Sequence, residues 1–415
     1  MKGSFGTFPK LIRDRLRYYQ DACEGRPDAF IRYEYPKLLD ESRAAVAGLL
    51  NASDDDVVLV SNATVGVNTV VKNLKWNPDG KDVVLTFSTI YEGCGKAVDC
   101  VVDYFEGLVF NKEIDITYPI EDDDVIQTFR NAVKEVEAEG KRARLCIFDV
   151  VSSRPGIVFP WQKMIKACRD LGVLSMVDGA QGIGMVPIDL TATDPDFFVS
   201  NCHKWLHVPR GCAVFYVPKR NQHLVPSTLA TSHGYQPRTV VRTNPLPPSS
   251  KSPFVQTFEF VGTIDNAPYL CIKDAIEWRR DVLGGEDKIL DYVTNLAKRG
   301  GQLVADRLGT KILDNSTGTL TGCGMVNVAL PIWSGKAGEN AKETDTVLSP
   351  EDAQKAFQWM LTTMIDDYNT FMALFIHGGR MWARISAQVY LGDEDFGRAA
   401  EVLGALCVRV AKKEF

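Results

Sequence analysis

The chain has 415 residues, of which 45% are hydrophobic and 24% are charged, as in an ordinary globular protein. Its formal net charge of -6 disfavours a nucleic-acid or anionic-membrane partner. No apolar run approaches the roughly 20 residues of a membrane span, and the N-terminal residues contain no hydrophobic signal core. We therefore expect a cytoplasmic protein that binds neither nucleic acid nor membranes.

Residues 1–50 are predicted to form an arm followed by a helix. The tetrapeptide Gly-Ser-Phe-Gly near the start is typical of a loop. Apolar residues then recur at helical intervals from Leu11 to Leu49, and Pro27 and Pro36 interrupt this pattern.

A strand that leads directly into a helix predicts an anion site. Val57–Val60 has the pattern of a buried strand, and a helix is predicted at Val65–Leu74. Ala63 and Thr64 then lie at the helix N-terminus, where free backbone N–H groups and the helix dipole attract anions. The tripeptide Asn62-Ala63-Thr64 is equally typical of an ordinary N-cap, so both interpretations stand.

Buried strands and helices alternate through the next part of the chain. Strands are predicted at Val83–Phe87 and Leu145–Val151, and helices at Glu121–Glu139 and Pro160–Leu171. This alternation predicts a mostly parallel sheet with right-handed crossovers.

The stretch from Val173 to Tyr216 carries the strongest chemical signal. A buried strand ends at Asp178, and a second apolar run, Phe197–Val199, ends just before Ser200, four residues ahead of Lys204. The carboxyl ends of such strands are where ligands bind in open α/β sheets. A carboxylate beside a pyridine nitrogen keeps it protonated, and a lysine holds an aldehyde as a Schiff base; pyridoxal phosphate needs both. The alternative is a helix-capping aspartate and a surface lysine.

The pattern changes after Gly284-Gly285, and the chain length also exceeds one compact core. The segment 226–253 is rich in Pro, Ser and Thr, and a helix is predicted at Ala267–Val282. Mixed helix and strand patterns follow, as expected for a smaller α+β domain. The predicted division is an N-terminal arm and helix at 1–50, a large domain at 51–284 and a small C-terminal domain at 285–415.

VDGAQ followed by SNCHKW resembles the class V branch of the fold-type-I pyridoxal phosphate enzymes, with Asp178, Gln181, His203 and Lys204 as carriers. GSFGTFPK, FIRYEYPKLLDESR, SNATVGVNTV, STIYEGCGK and SSRPGIVFPW extend the resemblance over nearly the whole chain. They resemble the fungal-type group of isopenicillin N epimerase relatives, hercynylcysteine sulfoxide lyase and the loline-pathway cyclase. The resemblance implies an α/β fold with a seven-stranded, mostly parallel sheet and a small C-terminal domain. It also implies a homodimer with shared active sites.

The resemblance implies a role for each candidate residue. Lys204 is the catalytic residue, and Arg384 binds the α-carboxylate of the substrate. The cofactor-binding residues are Ala63, Thr64, Tyr91, Ser153, Asp178, Gln181, Asn201, His203 and Thr263. Among them, Tyr91 stacks on the pyridine ring, Gln181 contacts the phenolate oxygen, and Thr263 reaches the phosphate of the neighbouring subunit. Ser153 stands where cysteine desulfurases have an asparagine, so its role is in doubt.

Three of these residues have ordinary alternatives. Tyr91 is otherwise a core tyrosine, Thr263 a helix cap, and Arg384 a surface salt-bridge arginine. The segment His377–Arg380 is expected to line the same cavity mouth. Ten scattered cysteines without a CxxC pair, together with five histidines, give no zinc-like spacing, so no metal is expected.

The implied function is that of a pyridoxal phosphate-dependent enzyme acting on an amino acid through an external aldimine. Ile365–Met381 contains no cysteine, which disfavours a persulfide-forming desulfurase. The favoured reaction is that of a carbon–sulfur lyase on a cysteine-derived substrate, in secondary metabolism. The alternatives are a decarboxylating cyclase of alkaloid biosynthesis and an epimerase. A non-catalytic binding protein is less favoured, because the Asp178 and Lys204 motifs are intact.

Overall fold

The main sheet has seven strands in a computed structural model, which describes residues 5–227, 229–231, 234–235, 237, 239–242 and 247–415. The strands are β1 Val57–Val60, β2 Asp82–Phe87, β3 Val109–Ile114, β4 Arg142–Asp149, β5 Leu174–Asp178, β6 Phe197–Asn201 and β7 Ala213–Tyr216. They lie in the order β1-β7-β6-β5-β4-β2-β3. Only β7 runs antiparallel to its neighbours among these strands. The predicted mostly parallel sheet is confirmed.

Helices connect and cover these strands. Those before β6 are α1 Lys10–Gly25, α2 Pro27–Ala29, α3 Tyr35–Leu49, α4 Ala63–Asn73, α5 Glu92–Tyr104, α6 Asp122–Ala138, α7 Trp161–Asp170 and α8 Leu190–Thr193. Those after it are α9 Cys202–Trp205, α10 Pro253–Glu259, α11 Ala267–Asp281, α12 Glu286–Leu308, α13 Pro350–Asp366 and α14 Asp393–Ala411. In the described ranges, no helix combines the length and the apolarity that crossing a bilayer requires. Part of the segment 226–253 lies outside the described residues.

A second sheet follows α12 in the chain. Its strands are β8 Met325–Ser334, β9 Thr346–Leu348, β10 Ala373–His377 and β11 Arg380–Ser386, in the order β10-β11-β8-β9. With α12, α13 and α14 it encloses its own apolar core. At the other end of the chain, α1 is tied to α11, because Asp274 accepts hydrogen bonds from Arg15 Nε at 2.7 Å and Tyr19 Oη at 2.8 Å. The domain boundaries at residues 50 and 284 remain a proposal.

Two glycines in the middle of α12 allow it to pack closely on both of its neighbours. A Cβ on Gly300 would lie 2.4 Å from the ring of Phe396 on α14, and one on Gly301 would lie 2.4 Å from Val326 on β8. Glycine in a helix interior costs about 1 kcal/mol relative to alanine. The close approach of α14 and β8 offsets this cost, since no side chain fits at either position.

We expect Gly300→Ala to lower the free energy of unfolding by roughly 1–3 kcal/mol, because the added methyl group overpacks the core against Phe396. Gly404→Ala in α14 is the matched control, since its Cβ would meet Leu308 at an ordinary 3.7 Å. That control should gain up to about 1 kcal/mol from helix propensity. Urea denaturation measures both, and equal midpoints for the two variants would contradict this account of the packing.

Candidate active site

A cavity of about 680 Å³ lies at the carboxyl ends of β5 and β6. It is lined by every predicted site residue except Thr263, namely Ala63, Thr64, Tyr91, Ser153, Asp178, Gln181, Asn201, His203, Lys204 and Arg384. Phe5, Asn62, Val65, Arg154, Ala180, Phe371 and Ala373 also line it. The fold thus brings together residues that lie as far apart in the sequence as Ala63 and Arg384.

Thr263 lies elsewhere in the same chain. It lines a separate cavity of about 490 Å³ between α1, the π-helical turn Phe30–Glu34 and the start of α11. Its predicted contact is with the phosphate of a neighbouring subunit, so this role remains a prediction.

Asp178 ends β5 at the floor of the cavity, where it is only 2% exposed. Its Oδ1 accepts a hydrogen bond from Ala180 N at 2.8 Å, and its Oδ2 accepts one from the Cys94 thiol at 3.1 Å. Asp149 stands in register with it on β4, so both side chains project from the same face of the sheet. Burial and the Asp178 carboxylate raise the pKa of Asp149 well above its usual range. The Asp178 carboxylate and burial thus both favour the protonated form of Asp149.

Lys204 lies in the one-turn helix α9, directly after β6. Its Nζ is 5.9 Å from the centre of the Tyr91 ring. Burial lowers the pKa of Lys204 below its usual value, although the Asp178 carboxylate acts in the opposite direction. The lower pKa increases the fraction of neutral amine, which is the nucleophilic and basic form.

The N-terminus of α4 forms one end of the cavity. Asn201 Oδ1 accepts a hydrogen bond from Ala63 N at 2.9 Å, and Asn62 Oδ1 accepts one from Val65 N at 3.0 Å. Within the described part of the chain, the Thr64 N–H group between them has no protein acceptor. Thr64 therefore offers the backbone donor for an anion, supported by the helix dipole.

His203 and Gln181 are held by hydrogen bonds beside Lys204. His203 Nδ1 donates to Cys212 O at 3.1 Å, and burial lowers the His203 pKa to about 4, so the ring is neutral at pH 7. Gln181 Oε1 accepts from Trp205 Nε1 at 2.7 Å, which leaves its amide NH₂ group as the available donor.

The N-terminal arm packs against the backbone of the lysine segment. Gly6 has a φ of +66°, and a Cβ there would lie 1.7 Å from His203 O and 2.8 Å from Lys204 Cα. Only glycine permits both this conformation and this contact. Phe5 lines the cavity next to it. The arm is therefore part of the site.

Arg384 lies on β11 at the other end of the cavity and is 4% exposed. Its Nη1 donates to Ser153 O at 2.5 Å and to Ser153 Oγ at 3.2 Å. Burial, together with the positive charge of Arg154, lowers the Arg384 pKa to about 10, so the guanidinium remains charged at pH 7. The alternative of a surface arginine is thereby excluded, because Arg384 is buried and faces the cavity.

Asn327 fixes the loop that follows β4. Its side chain accepts from Gly156 N at 2.8 Å and donates to Gly156 O at 2.9 Å. Asn327 is the register partner of Arg384 in the β8–β11 pair, and a Cβ on Gly156 would lie 2.7 Å from Arg384 Cδ. The small sheet therefore holds both the arginine and the loop against which it packs.

The fully buried Arg279 holds the segment that follows Lys204 in place. Arg279 binds Glu286 through Nε at 2.5 Å and Nη2 at 2.6 Å. It also donates to Trp205 O at 2.8 Å, His207 Nδ1 at 2.9 Å and Gly184 O at 3.2 Å. Every N–H group of this guanidinium is used. The loops after Asp178 and Lys204 are thus fixed to the start of α12.

The prediction for His377–Arg380 is wrong, because these residues lie outside the cavity lining. His377 Nε2 accepts from Tyr118 N at 2.9 Å, and Arg380 Nε donates to Leu330 O at 2.8 Å. Phe371 and Ala373, which come just before them, line the cavity instead.

The chain is similar to known proteins over most of its length. The model of the aminotransferase class-V family matches residues 31–244, just over half of the chain. The L-cysteine desulfhydrase-like protein lolT1 of Epichloe uncinata is 34% identical, with 99% of this chain and 93% of that protein covered. The chain belongs to the aminotransferase class-V family. The predicted family is therefore confirmed.

Two further matches agree with this assignment. The hercynylcysteine sulfoxide lyase of Schizosaccharomyces pombe is 29% identical to this class-V chain, over 98% of this chain and 93% of that protein. The solved structure of the cystine C–S lyase C-DES with its product cysteine persulfide superposes with a TM-score of 0.75. That match has 16% identity and covers 96% of this chain and 94% of the other, so it shows a common fold. The predicted fold-type-I class is confirmed.

The Cys94 thiol should stabilise the fold because it donates a hydrogen bond to the buried Asp178 carboxylate. We expect Cys94→Ala to lower the free energy of unfolding by about 1–2 kcal/mol, while Cys94→Ser, which keeps a donor to Asp178, loses less. At Cys271, which is fully buried and has no hydrogen-bond partner in the described residues, the order should reverse, with serine worse than alanine. Denaturant titration of the four variants tests this, and the same order at both positions would contradict it.

The buried His207 should make stability depend on pH. Burial, with the Arg279 charge, lowers its pKa to about 3, whereas an unfolded histidine titrates near 6.5. Between these values the unfolded chain takes up a proton that the folded chain does not, so stability is lost as the pH falls. This one group should cost on the order of 1.5 kcal/mol between pH 6.5 and pH 5.

The test compares urea denaturation of the wild type and His207→Asn at both pH values. Asparagine accepts from Arg279 and tolerates the φ of +63° at this position. The variant should show a shallower loss of stability, while His223→Asn controls for the removal of an exposed imidazole. An unchanged slope in His207→Asn would remove His207 as the cause.

Proposed function

We propose that this protein is a pyridoxal phosphate-dependent carbon–sulfur lyase that acts on a cysteine-derived amino acid. The observation that carries the proposal is the placement of Asp178 and Lys204 at adjacent strand ends in one buried cavity, with the Tyr91 ring close to the amine. The relatives agree with the predicted enzyme class, since one is named a desulfhydrase-like protein and another a sulfoxide lyase.

The side chains of the cavity match the chemical groups of this cofactor. Asp178, already oriented by two donors, would pair with the pyridine nitrogen, and Tyr91 would cover one face of the ring. The Gln181 amide would donate to the phenolate oxygen, and the Thr64 N–H group would bind the phosphate. The cofactor supplies an aldehyde that condenses with amines and a ring that withdraws electrons from the α-carbon.

The remaining residues would bind and process the substrate. Arg384 offers a planar, charged donor for the α-carboxylate, held in place by Ser153. Lys204 Nζ would remove the α-proton, and the carbon–sulfur electron pair would leave with the sulfur. The net reaction takes up one water and releases a thiol, pyruvate and ammonium, which balances atoms and charge.

A persulfide on the protein is not part of this proposal. Ile365–Met381 contains no cysteine, and Phe371 and Ala373 are the residues of that stretch that line the cavity. Cys94 is close by, but burial and the Asp178 carboxylate raise the pKa of its thiol well above the usual value. It therefore remains a protonated donor and does not act as a nucleophile.

We also propose a cytoplasmic homodimer with shared sites. Thr263 lies apart from the cavity of its own chain, so a role at a phosphate requires a second subunit. All ten cysteines are unpaired, which is what a reducing compartment favours.

The test is borohydride reduction of the purified protein, followed by peptide mass spectrometry. Reduction should fix the cofactor to Lys204 and abolish the visible absorbance band. Lys204→Arg keeps the charge and should lose more than about 1000-fold in activity, while Lys219→Ala, at an exposed lysine, should retain it. Cofactor on a different lysine, or on none, would refute the proposal.

Product analysis then separates the reactions. Incubation with cysteine S-conjugates should release pyruvate and thiol in equal amounts. Carbon dioxide release would point to the decarboxylating cyclase, and inversion at the α-carbon without cleavage would point to the epimerase.

A further inference from the structure

The cavity contains more positive charge than the proposed chemistry uses. Among the described residues, its charged lining side chains are Arg154, Lys204 and Arg384 against one acid, Asp178. In the proposed function, Asp178 pairs with the pyridine nitrogen, Lys204 binds the aldehyde, and Arg384 binds the α-carboxylate. The guanidinium of Arg154 is then left without a negative partner.

Arg154 is an exposed side chain at the mouth of the cavity, in the loop after β4. It makes no ion pair in the part of the chain that the structure describes. It is close enough to Arg384 to lower the pKa of that buried arginine. Two like charges held together in this way favour an anionic ligand, because a negative group between them relieves the repulsion.

The backbone that carries Arg154 is fixed. Ser152 Oγ donates to Pro155 O at 2.5 Å, and Ser152 N donates to Ile157 O at 3.0 Å. Asn327 binds both the N–H and the C=O of Gly156. The structure therefore presents the arginine from a rigid turn, as a binding residue requires.

The proposed phosphate donor and Arg154 lie at different ends of the cavity. The Thr64 N–H group is at the N-terminus of α4, next to Ala63, whose N–H donates to Asn201. Arg154 directly follows Ser153, whose two oxygens accept hydrogen bonds from Arg384 Nη1. The free charge thus lies at the substrate end of the cavity.

We propose that Arg154 is a specificity residue that selects cysteine S-conjugates carrying a second carboxylate on the sulfur substituent. The inference rests on the proposed function, since it assumes that Arg384 holds the α-carboxylate. The distal carboxylate would lie at the mouth, where a guanidinium binds it through two hydrogen bonds. Arg154 thereby defines the substrate class and leaves the bond-breaking step to Lys204.

The experiment compares S-carboxymethyl-L-cysteine with its uncharged amide, S-carbamoylmethyl-L-cysteine. The wild-type holoenzyme should show a kcat/KM for the acid about 10- to 100-fold above that for the amide. Arg154→Gln should remove this preference by lowering the value for the acid alone, and Arg154→Lys should restore part of it. Arg280→Gln, an exposed arginine paired with Asp281, is the control for the loss of one positive charge and should keep the preference.

Two kinetic results would overturn the inference, and a third would come from binding. One is a wild type without preference for the acid. The other is an Arg154→Gln variant that loses activity equally on both compounds, which would mean that Arg154 assists the α-carboxylate. If the wild type cleaves neither compound, calorimetric titration of the holoenzyme with the same pair decides. Tighter binding of the acid that depends on Arg154 would support the inference although the proposed lyase reaction had failed. Equal binding of the acid and the amide would contradict the inference as well as the lyase reaction.

Discussion

The close placement of two ionisable groups, Asp178 and Lys204, is the constraint on which the site depends. Taking an ion out of water costs several kcal/mol unless partners compensate for it. Asp178 receives two hydrogen bonds and lies in the field of Lys204, and the pKa of Asp149 beside it is raised. The sheet keeps these groups in register, so their mutual positions are set by β4, β5 and β6 before any ligand binds.

The sequence predicted what lies in continuous segments. A strand that ends at Asp178 and a second one that ends near Lys204 follow from apolar runs, and the family motif adds the roles of these residues. The predicted helix Glu121–Glu139 corresponds to α6, which is one residue shorter at each end. Strand β3 was not predicted. Only its first and last residues are buried, and the polar residues between them are typical of a surface segment.

The supporting residues could not be predicted in the same way. Cys94 reaches Asp178 across 84 residues of sequence, and Asn327 reaches Gly156 across 171 residues. Arg279 ends an amphipathic helix beside Arg280, so it looks like a solvated residue until its burial is known. The error at Arg380 has a local cause. Arg380 lies four residues before Arg384 on β11, which is roughly 13 Å along the strand, so it is too far from Arg384 to line the same cavity.

The position of Lys204, the proposed base, relative to Arg384, the proposed carboxylate-binding residue, depends on two contacts between the large domain and the C-terminal part of the chain. Arg279 fixes the segment after Lys204 to Glu286 at the start of α12, and Asn327 fixes the loop after β4 to the strand next to Arg384. These contacts satisfy all the N–H groups of the Arg279 guanidinium and the N–H and C=O groups of Gly156. Displacing Arg279 or Asn327 would therefore break several hydrogen bonds at once. Lys204 follows a strand of the large sheet and Arg384 lies on the small sheet, and it is these contacts that allow them to act on one substrate.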